Sequence, residues 1–300
     1  MITIGIPRAL YYFQHNVLWE EFFKNLGCNV IVSDETNKQT LDLGVKSCSN
    51  ETCLPVKVFH GHVLHLKDKV DYIFIPRYSS LDENEYACPK FCGLPDIVSL
   101  NLKGKIKVLD ISVHMDRLPY KTFESLKVVA KTLKLRYSYV VNALKNAYVK
   151  FKKSQQCLKD KDINKNTSIS ILGHPYMIYD SYLSMKLIDK LKKHNINVYT
   201  PEDIDDRTKR KNAYPFEGKV FWEIGFELLG SAFTFAKEQK VKGIIYITPF
   251  ACGIDAFIVE FIERCFKSDI SVPFLKLTVD EHTGEAGFNT RLEAFLDMVG

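Results

Sequence analysis

Three hundred residues, 46% of them hydrophobic and 26% charged, make a globular chain with apolar mass for a large core, which excludes a disordered or fibrous protein. Domains of about 100 to 200 residues are usual, so two are expected. The net charge of +5 is mild, no signal-like start precedes an apolar run, and no stretch of ~18 consecutive apolar residues could span a membrane, so a cytoplasmic protein is expected, with no membrane and no nucleic-acid partner.

In chain order, Ile2 to Ile6 predicts a first strand, Tyr11 to Leu26 its helix, and Asn29 to Val32 a second strand. Residues 54 to 67 place Val56, Phe59, Val63 and Leu66 at helical spacing, with Pro55 suited to the first helical position, where its missing donor costs nothing. Asp71 to Ile75 and Lys107 to Ile111 predict further strands, and a helix is expected from near Pro95. From Lys105 to Leu172 there is no glycine and only Pro119, which predicts long helix. The basic excess between Arg117 and Lys165 alternates with apolar residues and is expected to form a solvated helix face, with a polar exposed turn at Lys159 to Asn166. A second series follows, with strands at Ser168 to Leu172, Asn197 to Tyr199, Gly243 to Thr248 and Val272 to Thr278. Its helices fall near residues 180–193, 219–238, 254–266 and 284–297. This is an α/β pattern: two Rossmann-like doubly wound parallel-sheet domains, residues 1–118 and 167–300, joined by a long helical connector over 119–166.

Open α/β sheets bind ligands beyond the carboxyl ends of their strands. The unusual residues gather there: Gly5-Ile6-Pro7-Arg8, Pro76-Arg77-Tyr78, Gly173-His174-Pro175-Tyr176, Pro249 to Gly253, and Asp280 to Glu285. Eight cysteines in a reducing compartment are not expected to form a disulfide framework. Cys48 and Cys53 flank one loop, Cys88 and Cys92 another, and Cys252 stands alone far downstream. Cys53, Cys88 and Cys252 each precede a predicted helix, whose free N–H groups and positive end suit a thiolate. The spacings match neither a zinc ribbon nor a compact ferredoxin run, so by themselves they leave a metal site and buried thiols both open. Cys28, Cys157 and Cys265 lie in or beside amphipathic elements and are expected to be buried core thiols. His60, His62 and His65 do not share one helix face with a carboxylate, so solvated histidines, or histidines supporting a site from behind, are expected rather than ligands. Glu51, Lys57 and Arg77 are candidates to bond an anionic centre. Neither a Gly-x4-Gly-Lys-Ser/Thr loop nor a Gly-x-Gly-x-x-Gly turn after the first strand occurs, which argues against ATP hydrolysis and dinucleotide chemistry.

Glu51-Thr52-Cys53-Leu54-Pro55-Val56-Lys57 with His60-Gly61-His62, Cys88-Pro89-Lys90 with Gly93-Leu94-Pro95-Asp96, Pro249 to Gly253, and Asp280-Glu281-His282-Thr283-Gly284-Glu285 with Thr290 to Phe295 together resemble a known family. It is the stand-alone form of the acyl-CoA dehydratase activase-associated family, domain of unknown function 2229, and the likeness runs over essentially the whole chain. The family also occurs fused to ATPase activases of 2-hydroxyacyl-CoA dehydratases and is distantly similar to the dehydratase subunits and to double-cubane cluster proteins. The resemblance implies an iron–sulfur cluster, 4Fe–4S or a double-cubane derived from it, held by Cys53, Cys88 and Cys252. Cys48 would be a fourth ligand that closes the cluster; Cys92 is the weaker candidate.

The implied function is low-potential electron transfer, or reduction of a small substrate, in the dehydratase and activase system. An ATP-dependent activase or dehydratase subunit is the implied electron partner, and a homodimer is compatible. The alternative is a non-catalytic binding or scaffold partner whose cysteines are structural or hold zinc. A dehydratase in its own right would draw on His174, Tyr176, Asp255, Glu281, His282 and Glu285 as acid/base or hydrogen-bonding groups, although Asp255 also has the ordinary explanation of a helix cap.

Overall fold

A computed structural model describes residues 1–82, 85–114, 119–156, 167–213, 220–238 and 241–299. Cys157 and the turn expected at 159–166 lie outside these residues. The chain divides into two compact units, Met1–Lys161 and Asp162–Gly300.

The first unit runs β1 (Thr3–Ile6), α1 (Tyr12–Asn25), β2 (Asn29–Val32), α2 (Lys38–Ser47), α3 (Leu54–Leu66), β3 (Tyr72–Phe74), β4 (Arg77–Asp82), β5 (Glu85–Tyr86), α4 (Pro89–Cys92), α5 (Leu94–Asn101), β6 (Val108–Leu109), β7 (Ser112–His114), α6 (Pro119–Leu133) and α7 (Tyr137–Gln156). Its main sheet is parallel, in the order β2-β1-β3-β6. Beyond Pro76, which has no N–H to give, the line of β3 and β6 continues as β4 and β7: Ile75 N–H donates to the Leu109 carbonyl and Arg77 N–H to that of Ile111. With β5 these form a second small sheet, unexpected because polar Arg77-Tyr78-Ser79-Ser80 lacks a strand-like apolar run.

Helix α1 buries His15, Leu18, Trp19, Phe22 and Phe23, a single stripe at helical spacing. Trp19 and Phe23 each pack 4.9 Å from the Phe74 ring at the sheet. Helix α7 lies on α1 through the small buried residues Ala143 and Ala147, and Tyr139 Oη donates to the Asn25 carbonyl at 2.8 Å. Its lysines 145, 150, 152 and 153 stay on the exposed face, the solvated helix face read from the sequence.

Helices α2 and α3 form an antiparallel pair at unusually close range. A Cβ at Gly44 would overlap the Lys57 carbonyl, and one at Gly61 the Thr40 carbonyl, so glycine at both crossings lets the backbones touch. Because α3 leads into the parallel strand β3, its N-terminus lies at the carboxyl edge of the sheet, and the Cys48–Cys53 turn closes the hairpin there.

The second unit runs β8 (Ser168–Leu172), α8 (Pro175–Tyr179), α9 (Leu187–Lys193), β9 (Asn197–Tyr199), a 3-10 turn at Pro201–Asp203, α10 (Asp206–Asn212), α11 (Glu223–Glu238), β10 (Gly243–Pro249), α12 (Gly253–Asp269), β11 (Phe274–Val279) and α13 (Glu285–Val299). Its parallel sheet has the order β11-β10-β8-β9. Numbered within each unit, the two main sheets share one strand order, 2-1-3-4. Both main sheets are thus parallel and doubly wound, as the sequence pattern indicates. Strand β10 is buried at every position, which a central strand covered on both faces requires.

The single helix expected at 180–193 is instead a turn followed by α9. Asp180 explains the break: its Oδ1 accepts from Tyr182 and Leu183 N–H, and Met185 and Lys186 take left-handed backbone at φ 49° and 57°.

Candidate functional site

Each main sheet changes winding direction between its first and third strands, where a ligand crevice is expected at the carboxyl edge. In the first unit this place, between the ends of β1 and β3, is apolar. A cavity of about 30 Å³ lies there among Ile6, Pro7, Leu10, Trp19, Phe74 and Tyr78, room for about one water molecule. Beneath it Trp19 Nε1–H donates to Tyr78 Oη at 2.8 Å, and the same hydroxyl meets His15 Nδ1 at 2.7 Å. Burial holds His15 down to about 4, so the ring is neutral.

Cys48, Cys53, Cys88 and Cys92 are not among the residues that line that cavity. Cys53, 8% exposed, is the N-cap residue of α3, and Cys48 is the C-cap residue of α2. Burial pushes the Cys48 thiol up; Ser47 and Lys57 draw it down, and Cys53 is near enough to add a small rise. Lys57 is buried one turn into α3, whereas Glu51 is exposed. Cys88 opens α4, and Cys92 Sγ sits 3.5 Å from Ser79 Oγ. Arg77 secures this second loop: its guanidinium donates to the Cys92 carbonyl at 2.8 Å, to both Asp96 oxygens at 2.6 and 3.1 Å, and to Asp110 at 3.1 Å. Arg77 is therefore a loop clamp, occupied by protein carboxylates.

His60 and His62 are buried rather than solvated, contrary to one expectation, and His65 is half-buried. His60 Nδ1 meets the Val56 carbonyl at 2.8 Å and its Nε2 meets Asn101 at 3.1 Å; both ring nitrogens of His62 reach hydroxyls, Ser33 and Thr36, at 2.9 Å. Burial lowers His62 to about 3, with His65 and Arg8 adding to the shift.

The second unit fills its crevice with polar groups. His174 follows β8, and Cys252 follows β10 as the N-cap residue of α12. Gly173 allows the approach: its φ is 152°, and a Cβ there would come within 2.5 Å of the Ile247 carbonyl. Ala251, at φ 63°, turns the chain into Cys252. His174 Nε2 lies 3.2 Å from Asp255 Oδ1 and 3.9 Å from Cys252 Sγ. Asp255 is 0% exposed and His174 3%; Tyr246 Oη donates to Asp255 Oδ1 at 3.0 Å and Thr248 Oγ1 to Oδ2 at 2.9 Å. Burial opposes a charge on His174, but the Asp255 carboxylate, with Cys252 adding to it, outweighs burial and holds the imidazolium up to about 10. Tyr176 stacks on the ring at 4.8 Å.

Asp255 is thus no helix cap, as the sequence reading allowed, but the buried partner of His174. The clue available in sequence was Tyr246 and Thr248, two polar residues on one face of a strand otherwise apolar throughout. Among the described residues, His174, Cys252 and Asp255 form a group whose ligand atoms all lie within 4.8 Å of one another. Cys48, Cys53, Cys88 and Cys92 do not belong to it.

The Asp280 loop is structural: Asp280 Oδ1 accepts from His282 N–H at 2.9 Å and Thr283 Oγ1 at 2.7 Å, ordering the approach to α13. Glu281 is half-buried, His282 is exposed, and Glu285 is exposed and paired with Lys190 at 2.8 Å. Cys28 and Cys265 are half-buried rather than core residues. Among the described residues no helix is long and apolar enough to cross a membrane.

The CoA enzyme activase uncharacterised domain (DUF2229) matches residues 3–204, and the 2-hydroxyglutaryl-CoA dehydratase D-component matches residues 230–299. No curated protein matches the chain. Among solved structures, the chain aligns with the laminin-binding adhesin Lmb of Streptococcus agalactiae at 12% identity over 100% of both chains, with a TM-score of 0.30. It aligns with ZnuA at 13% identity over 99% of this chain and 97% of that one, with a TM-score of 0.32. Likeness this distant says nothing of what the chain binds.

Proposed function

This chain belongs to the CoA enzyme activase uncharacterised-domain family and carries a dehydratase D-component segment, which ties it to the CoA dehydratase and activase system; from that premise we propose that it is an iron–sulfur protein serving low-potential electron transfer, or reduction of a small substrate, in that system. The ligands we assign are Cys53, Cys88 and Cys252, with Cys48 as the fourth candidate. One observation carries the reading: each of these thiols lies at the carboxyl edge of its own unit's sheet, and three of them stand where a helix begins. Thiolates are the soft donors such a cluster takes, and free N–H groups at a helix start favour their charge. When bound, a 4Fe–4S cluster or a double-cubane derived from it would supply one-electron chemistry. The chain's own contribution is to hold the sulfurs: Gly44 and Gly61 seat the Cys48–Cys53 turn, Arg77 clamps the loop after Cys88, and Ala251 turns Cys252 toward His174. An ATP-driven activase or a dehydratase subunit is the electron partner we assign, in a cytoplasmic setting.

Anaerobic preparation and reconstitution test the assignment. The expected result is brown protein with about four irons per chain or more, lost in Cys53→Ala, Cys88→Ala and Cys252→Ala and retained in Cys265→Ala. If Cys265→Ala loses iron as the other three do, the ligand assignment is wrong.

A second reading is favoured by the group His174, Cys252 and Asp255, whose separations suit a single divalent ion in a non-catalytic partner protein. One equivalent of zinc, with no visible absorbance and loss in His174→Ala, would select it.

A further inference from the structure

Asp255 sits at the base of a chain of contacts with a direction. Each of its oxygens already accepts a hydroxyl, from Tyr246 at 3.0 Å and from Thr248 at 2.9 Å, and both donors project from β10, the most deeply buried strand of the unit. The carboxylate therefore has a fixed position and orientation. It in turn holds His174 Nε2 at 3.2 Å, while Tyr176 covers the ring face. Cys252 Sγ lies 3.9 Å from the same nitrogen, so one N–H stands between two acceptors, a carboxylate and a sulfur. A plain core histidine does not need such an arrangement. Hydrogen bonds to ligand sulfur set how readily an iron–sulfur centre is reduced, because they stabilise the added negative charge.

We propose that His174 is a positioning residue that donates an Nε2 hydrogen bond to the ligand sulfur of Cys252, oriented by Asp255 and through it by Tyr246 and Thr248, and that it makes the bound cluster easier to reduce. This rests on the cluster reading above, with Cys252 as a ligand. Sulfur that gains charge on reduction is the better acceptor for the shared proton, so the bond strengthens in the reduced state. Removing it costs the reduced state more than the oxidised one.

The test compares wild-type protein with His174→Phe, which keeps a flat ring without a donor, and His174→Gln, which restores an N–H of similar reach. All are prepared anaerobically with iron and sulfide, and iron per chain and midpoint potential are measured. At equal iron content His174→Phe is expected to shift the equilibrium about tenfold toward the oxidised state, about 59 mV lower in potential for one electron, and His174→Gln to return most of it. In wild-type protein carrying ¹⁵N-histidine, pulsed electron paramagnetic resonance is expected to show a weak histidine nitrogen coupling to the reduced centre. That second measurement decides the matter if His174→Phe does not fold. Unchanged potential in a His174→Phe protein with full iron, or no histidine coupling in the reduced wild type, overturns the role of His174 and leaves the cluster assignment standing. Iron-free wild-type protein is a separate result that brings down both.

Discussion

His15 and His62 show how individual buried residues tie the first unit to pH. Both are held neutral, at about 4 and about 3, because burial penalises the charged ring, with Lys152 adding to the shift at His15 and His65 and Arg8 adding to it at His62. Unfolded histidine takes its proton near 6.5, so the unfolded chain binds more protons in the interval between. The stability these residues contribute is complete above about pH 6.5 and is lost as pH falls through the folded-state values. For His15 the full effect is on the order of 3 kcal/mol. Urea unfolding at about pH 7 and about pH 4.5 is expected to show a clear fall in midpoint, smaller in His15→Phe. A fall of the same size in that variant would remove His15 from the account. At this scale the sequence was a partial guide. The cysteines and His174 were visible as chemistry next to strand ends, but the partners of His15, His62 and Asp255 lie across 63, 29 and 81 positions or fewer, and no local pattern announces such contacts.

At the scale of elements, apolar periodicity made the long pieces legible. The stripe of α1 and the unbroken burial of β10 are patterns that tertiary packing reinforces. The short polar pieces were not legible: β4, β5 and β7 contain too little apolar alternation, and the turn at Asp180 is made by a side chain bonding to the backbone. The crossing of α2 and α3 was equally hidden, since Gly44 and Gly61 read as ordinary helix-weakening residues until their contacts are known. Here packing outweighs propensity. Gly61→Ala would gain helix propensity in isolation, yet its methyl has no room against the Thr40 carbonyl, and a loss of about 1 to 3 kcal/mol is expected in denaturant unfolding. Because the same crossing seats the Cys48–Cys53 turn, lower iron retention is expected as well. A Gly61→Ala protein as stable as the wild type would mean the helices separate without cost.

For the whole molecule, the two units carry separate cores and complete parallel sheets of their own. A fragment comprising residues 162–300 is therefore expected to fold by itself, with α/β circular dichroism and one cooperative thermal transition. A fragment without a transition would show that this core depends on the remainder of the chain. The shared strand order has another consequence. In the second unit the thiol follows the third strand of the sheet directly, whereas the corresponding place in the first unit holds Pro76 and Arg77, and its thiols come from the crossover before β3 and the excursion before β6. The frame is duplicated and the chemistry is not. No residue-by-residue repeat therefore survives to be read, and the halves are not interchangeable: a tandem of two second units would keep the scaffold but supply only the Cys252 type of thiol, and a tandem of two first units would lack the buried histidine and aspartate beside it.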